Sequence, residues 1–108
     1  DVVAAKLSNN NQTYSIASST KNRVLSTTVF MDISAGIYDN TGYATLYVDG
    51  SEVDTKAITA KANSRNSGGV PLLATISANA GHTYKIRWSG ETGPCVAILF
   101  NETTGSIY

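Results

Sequence analysis

The sequence predicts an all-β chain: an antiparallel β-sandwich, jelly-roll-like, of about eight strands. Three observations lead there. Apolar and polar residues alternate along most of the chain, and helical periodicity is nearly absent. The alternating runs are filled with β-branched and aromatic residues, which suit a pleated, half-buried surface. Clusters of Asn, Asp, Ser and Gly divide the runs at the spacing a small sandwich needs. The 108 residues fit one domain, 1–108, at the usual ~150 residues per domain. An immunoglobulin-like sandwich is the competing topology, without the cysteine pair of antibody domains.

Taken in order, Val2 to Leu7 reads as a first strand, closed by the turn Ser8-Asn9-Asn10-Asn11. Gln12 to Ala17 is a second, with Tyr14 and Ile16 on one face. Ser18 to Asn22 is polar and breaks the pattern. Val24 to Ile33 is the strongest early run. Leu25, Val29, Met31 and Ile33 share one parity with Thr27 between them, as one buried face requires. Ser34-Ala35-Gly36 ends it, and Asp39-Asn40-Thr41-Gly42 reads as the next turn. Tyr43 to Val48 sets Ala44, Leu46 and Val48 against Tyr43, Thr45 and Tyr47. Asp49-Gly50 follows at once, a hairpin signal because a type I′ turn needs positive φ at both central residues. Ser51 to Ile58 returns.

Thr59 to Gly69 is the longest irregular stretch and reads as a loop. Val70 to Ser77 is a strand, with Pro71 near its start or on an edge, where no ladder hydrogen bond is lost. Asn79-Ala80-Gly81-His82 turns the chain. Thr83 to Trp88 sets Tyr84, Ile86 and Trp88 against Thr83, Lys85 and Arg87, which places Trp88 in the core. Ser89 to Pro94 is a loop, and Cys95 to Phe100 reads as a central strand. Thr103 to Tyr108 closes the chain as a short edge strand.

Composition removes several function classes. Eight basic and eight acidic residues cancel, which argues against binding nucleic acid or an anionic membrane by bulk charge. No apolar run approaches the ~20 residues of a membrane-spanning helix, so no membrane insertion is expected. The single cysteine, Cys95, excludes an intramolecular disulfide and a Cys-based zinc site. The single histidine, His82, lies in a predicted turn and reads as solvated. No G-x-S-x-G is present. Glu52 and Asp54 share a parity near Asp49, but a hairpin tip open to water leaves the general-acid role unfilled. The run DGSEVD does not follow the EF-hand order, and no glycine-rich loop opens a helix. The expectation is a non-enzymatic protein with no cofactor and no metal. Lys85 and Arg87 point the same way on one strand, and Lys21 and Arg23 flank another; a local anion patch is one reading, and at zero net charge ordinary solvated cations are the favoured one.

Two N-x-S/T sequons, at Asn11 and Asn101, read as chance in a chain rich in Asn, Ser and Thr. The chain does not begin with Met, which reads as a processed form or a fragment of something longer. Charged residues are 15% of the chain, against the ~25% of typical globular proteins. Low charge, many Ser, Thr and Asn, and no cysteine pair suit an extracellular or virion-surface protein.

The candidate binding residues are Tyr38, Tyr43, Thr45 and Tyr47. If Ala44, Leu46 and Val48 pack inside, Tyr43, Thr45 and Tyr47 stand outward, with Tyr38 just before the turn. Such aromatics serve a subunit interface, cross-strand packing, or stacking on a sugar ring. The candidate display loops are Ser34–Gly42, Thr59–Gly69, with Asn63, Ser64, Arg65 and Asn66 at its centre, and Ser89–Pro94.

Tyr43 to Val53, YATLYVDGSEV, resembles the hairpin of phage tail-fibre and C1q/TNF-like jelly-roll domains. Thr75 to Ile86, TISANAGHTYKI, resembles their strand, Ala-Gly-polar, strand segment. The resemblance implies self-association, a trimer favoured, or contact with other virion proteins, and binding to a receptor such as a host-surface glycan. The expectation is therefore a virion structural or adhesion module: a fibre tip, a receptor-binding domain or a capsid decoration protein. The alternative is a secreted carbohydrate-binding module or lectin.

Overall fold

The alternation becomes eight strands in the computed structural model, which describes residues 5–16, 18, 20, 22–93 and 95–104. They are β1 (Ala5–Leu7), β2 (Thr13–Ile16), β3 (Arg23–Ser34), β4 (Asn40–Val48), β5 (Ser51–Ala60), β6 (Arg65–Ile76), β7 (His82–Ser89) and β8 (Val96–Thr104). One sheet runs β1-β8-β3-β6 and the other β2-β7-β4-β5. Every ladder is antiparallel.

The topology grows from one turn. Asp49 and Gly50 take φ of 52° and 83°, the positive values a type I′ turn demands. From this turn β4 pairs with β5, then β3 with β6, β2 with β7 and β1 with β8. The chain is thus a long two-stranded ribbon folded over on itself. Closure adds the β3–β8 and β4–β7 ladders. This winding is the jelly roll expected from the sequence.

The core lies between the sheets and follows strand parity. Leu25, Val29, Met31 and Ile33 of β3 meet Val70, Leu72, Ala74 and Ile76 of β6, against Ala44, Leu46, Val48, Tyr84, Ile86 and Trp88 from the other sheet. The burial of Trp88 is as expected. Thr27 sits in the same inward row, buried, with no partner for its Oγ1 among the described residues.

Several expectations need correction. Thr59–Gly69 is not a loop: β5 continues to Ala60 and β6 begins at Arg65, pairing with Ser34. Only the turn Lys61–Ser64 remains, with Asn63 at φ 58° and the Ser64 N–H donating to the Lys61 carbonyl. Arg65 and Asn66 therefore stand in a strand. Asn40–Gly42 opens β4 instead of forming a turn. Thr103 and Thr104 extend β8. The rest of the expected closing strand, the expected start of the first strand, and Lys21 lie outside the described residues. Arg23 is fully buried at the head of β3, sharing parity with Leu25, and is not a solvated cation.

His82 is also buried, at 8% exposure. Its Nδ1 lies 2.6 Å from Asp49 Oδ2 and its Nε2 lies 2.9 Å from the Ser77 carbonyl. It pins the β4–β5 turn to the start of β7. The Thr83 N–H adds a bond to Asp49 Oδ1. These two contacts, the Thr83 N–H first and His82 second, hold the Asp49 carboxyl below the usual aspartate range.

Candidate functional site

The outer face of the β2-β7-β4-β5 sheet is built around β4. Parity turns Tyr43, Thr45 and Tyr47 away from the buried Ala44, Leu46 and Val48. Register then brings neighbours alongside. Thr45 stands between Thr55 of β5 and Arg87 of β7, and Tyr43 stands opposite Ser89. Tyr47 stands between Glu52 and Lys85.

The pairing of Tyr47 with Glu52 depends on a β-bulge. The β4–β5 register shifts between Leu46 and Tyr47, so Leu46 pairs with Asp54 and Tyr47 with Glu52, leaving Val53 as the extra residue. One extra residue reverses side-chain parity beyond it. Glu52 and Asp54 therefore do not share a face as the sequence suggests. Glu52 joins the outer face. Asp54 turns to the neighbouring sheet, where its Oδ2 accepts the Leu73 N–H of β6 at 2.9 Å. That N–H, and after it Lys56, holds the Asp54 carboxyl below its usual range. This contact caps a free edge of β6, a known defence against edge-to-edge pairing.

The result is a groove of about 240 Å³ lined by Tyr43, Thr45, Tyr47, Glu52, Thr55, Arg87 and Ser89. Tyr43 and Tyr47 stand four residues apart on one strand, ~13 Å at ~3.3 Å per residue. Between them the Thr55 hydroxyl donates to Thr45 Oγ1 at 3.1 Å and forms a hydroxylated floor. Tyr43 is 50% exposed, and Thr45 is buried beneath the rim. The Lys85 ammonium lies 4.4 Å from the centre of the Tyr47 ring, which restrains one wall by a cation–π contact. Glu52 and Arg87 make no hydrogen bond or ion pair with any described residue. Aromatic walls, a hydroxyl floor, a carboxylate and a guanidinium thus face solvent together.

Three of the four candidate binding residues share this groove. Tyr38 does not line it. It lies in the bend after β3 and is 78% exposed. The display-loop candidates divide. Asn63 and Ser64 occupy the turn. Arg65 pairs with Asp32, donating from Nε at 2.7 Å and from Nη2, and the Asn66 amide donates to the Thr59 carbonyl. Glu52, Thr55, Arg87 and Ser89 were not foreseen as a group. The outward parity of Arg87 is visible in the sequence, but its place beside Thr45 is set by a ladder between strands about forty residues apart.

A larger hollow, about 620 Å³, lies over the other sheet. It is lined by apolar Phe30, Met31 and Val96, by Cys95, and by Lys6, Ser8, Ser67 and Gly68. Burial is the main cause that pushes the Cys95 thiol above its usual range, which disfavours the nucleophilic thiolate. Nearby Asp32 is engaged by Arg65 and Ser67, which hold its carboxyl low. Among the described residues no three of His, Cys, Asp and Glu gather around a metal-sized space.

Neither a family model nor a curated protein matches the chain. Solved structures offer distant likenesses. The Agl-KA catalytic domain matches with a TM-score of 0.47 and 16% identity, over 93% of this chain and 21% of that one. Dimeric latent PorU from Porphyromonas gingivalis matches with a TM-score of 0.46 and 8% identity, over 94% of this chain and 10% of that one. The chain therefore spans about a fifth and a tenth of these two proteins.

Proposed function

We propose that the chain is a non-enzymatic adhesion module of a virion surface, and that the outer face of β4, β5 and β7 binds a glycan. One observation carries the glycan reading. Tyr43, Thr45 and Tyr47 share a groove with Glu52, Thr55, Arg87 and Ser89, whose polar groups are displayed to solvent. Tyrosine offers an apolar ring face with a polar tip, which suits a molecule that is apolar on its ring face and hydroxylated at its rim. Thr, Ser and Glu supply the acceptors and donors that fix its orientation.

The groove, at about 240 Å³, is smaller than the ~300–1,000 Å³ of a typical small-molecule pocket. A shallow site binds weakly alone. Repeated display raises its effective affinity, which is the physical advantage of a fibre or particle surface. Jelly rolls serve both capsid and lectin roles, so the winding agrees with this class while the site carries the function.

The alternative is a secreted carbohydrate-binding module that works as a monomer. Self-association has separate support in the opposite sheet face, where Phe30 and Leu73 are 42% and 57% exposed. Light scattering across a tenfold dilution series, followed by glycan titration, separates these readings. A closed oligomer that survives dilution and binds glycan fits the virion module. A monomer that binds glycan moves the assignment to the secreted module. Absence of glycan binding in both forms removes the carbohydrate reading.

A further inference from the structure

We propose that the groove selects a carboxylated sugar, with Arg87 receiving the carboxylate and Glu52 and the Thr45–Thr55 pair receiving the hydroxyls. This rests on the glycan reading above and specifies the ligand class. Arg87 is exposed and contacts no carboxylate or carbonyl among the described residues. The nearest other cation on this face has a neighbour: Lys85, which does not line the groove, lies over the Tyr47 ring. Arginine elsewhere is used differently, since Arg65 is committed to Asp32. Arg87 thus leaves its planar fork of N–H donors free, and that fork matches a carboxylate through two parallel hydrogen bonds.

The position of Glu52 adds polarity. Arg87 lies in the Thr45 row on β7, and Glu52 lies in the Tyr47 row on β5. Two strand spacings and two residues separate them, ~12 Å between backbones. They form no ion pair and stand at opposite corners, with the threonine hydroxyls between them. A carboxylate acceptor suits sugar hydroxyls, which donate, and it repels a second anion. The groove is therefore directional: an anion-receiving end at Arg87 and a hydroxyl-receiving end at Glu52. The chain has zero net charge, so selection must come from this local contact and not from a bulk field.

The experiment is titration with matched glycan pairs at physiological salt, where the ~8 Å screening length suppresses distant charges. The pairs are oligogalacturonate and its methyl ester, glucuronate- and glucose-terminated oligosaccharides, and sialylated and desialylated lactose, with a sulfated oligosaccharide as a third arm. The expected result is at least tenfold tighter binding of one carboxylated member than of its neutral partner. Arg87→Gln should collapse that ratio to near one, and Arg87→Lys should retain part of it. Lys6→Gln, on the opposite sheet, should leave the ratio unchanged. Equal binding of acidic and neutral members overturns the inference and leaves the glycan reading standing. Failure of every glycan to bind overturns both. A ratio that persists in Arg87→Gln removes Arg87 from the role. A sulfated arm that outbinds the carboxylated ones reassigns Arg87 to a sulfate ester and overturns the carboxylate assignment.

Discussion

The two outer sheet faces use polar side chains in opposite ways. On the β1-β8-β3-β6 side, Asp32 and Arg65 are spent on structure, while Lys6 stands exposed. Asp32 accepts from Arg65 and Ser67, while its backbone carbonyl accepts the Thr92 and Gly93 N–H groups. The exposed residues there include large apolar side chains, notably Phe30 and Leu73. On the β2-β7-β4-β5 side, Glu52 and Arg87 are left without described partners, beside Tyr47 and Thr45 respectively. A polar group satisfied inside the protein stabilises the fold. One displayed without a partner is available to a ligand. The difference predicts which face responds to mutation through stability and which through binding.

The largest expected effect falls on the segment that joins the faces. Gly90 takes φ 80°, and a Cβ there would collide with the Thr41 carbonyl and the Gly42 backbone of β4. Three residues on, the same segment reaches β3 through Gly93 and Asp32. Gly90→Ala therefore strains the clasp between the sheets, at a cost of about 2–4 kcal/mol. Thermal unfolding should show Tm falling by ten degrees or more, roughly. Glycan binding near the melting range should fall with it. Little change in Tm would mean the clasp yields and the two faces are not coupled through it.

Next in size are substitutions that separate the faces. Tyr43→Ala and Tyr47→Ala should each weaken glycan binding about tenfold or more, equivalent to ~1.4 kcal/mol. Leu73→Ala should leave it within about twofold, since Leu73 lies on the other sheet. Titration of the three variants decides the matter, with circular dichroism to verify folding. Equal losses at Leu73 and Tyr47 would erase the distinction between the faces.

Much of the frame behind these faces was legible in the sequence. Leu25 to Ile33, Ala44 to Val48 and Tyr84 to Trp88 declared their inward sides because strand parity has a period of two. Asp49-Gly50 declared the turn from which the ribbon grows. Other signals were present but overridden. His82 shares parity with Tyr84, Ile86 and Trp88, and Arg23 shares parity with Leu25. Turn composition and charge pointed outward, and parity prevailed once Asp49 and the Ser77 carbonyl were in reach of the imidazole. Still other features depend on distant partners. Arg65–Gly69 is too polar and glycine-rich to read as a strand, yet its ladder to β3 makes it one. Phe30 helps there by lying over Gly69, where an added Cβ would stand 3.4 Å from the ring. The Val53 bulge is a single extra residue with no composition signal. Without it the Glu52 corner of the groove cannot be derived.

Acid offers a milder test. Asp32, Asp49 and Asp54 all have carboxyls lowered from 3.8 by hydrogen bonds to the protein: chiefly Arg65, the Thr83 N–H and the Leu73 N–H. A lowered folded value means that the stabilisation is fully present above the unfolded value and is lost as pH falls through the folded one. Tm should therefore be insensitive to these groups above pH ~4 and should fall below it. Asp32→Asn, Asp49→Asn and Asp54→Asn should each lower Tm at neutral pH and flatten the acid slope. An unchanged slope in all three would mean that their hydrogen bonds persist equally in the unfolded chain.

The smallest effect tests the rule from inside the core. Thr27 is 1% exposed and its Oγ1 has no hydrogen-bond partner among the described residues. It resembles Arg87 in lacking a partner but differs in having no access to a ligand. Enclosed between Leu25 and Val29, the hydroxyl carries a desolvation cost without a compensating bond. Thr27→Val keeps the branched shape, suits a strand and removes that cost. Stability should rise by about 1 kcal/mol, or ~5 °C in Tm. Glycan binding should stay unchanged, because Thr27 lies in the core behind β3. A fall in stability would show that an enclosed water satisfies the hydroxyl. In that case an unpartnered polar atom would not be enough to separate a functional site from a structural one, and the assignment of Arg87 would rest on its position beside the tyrosines alone.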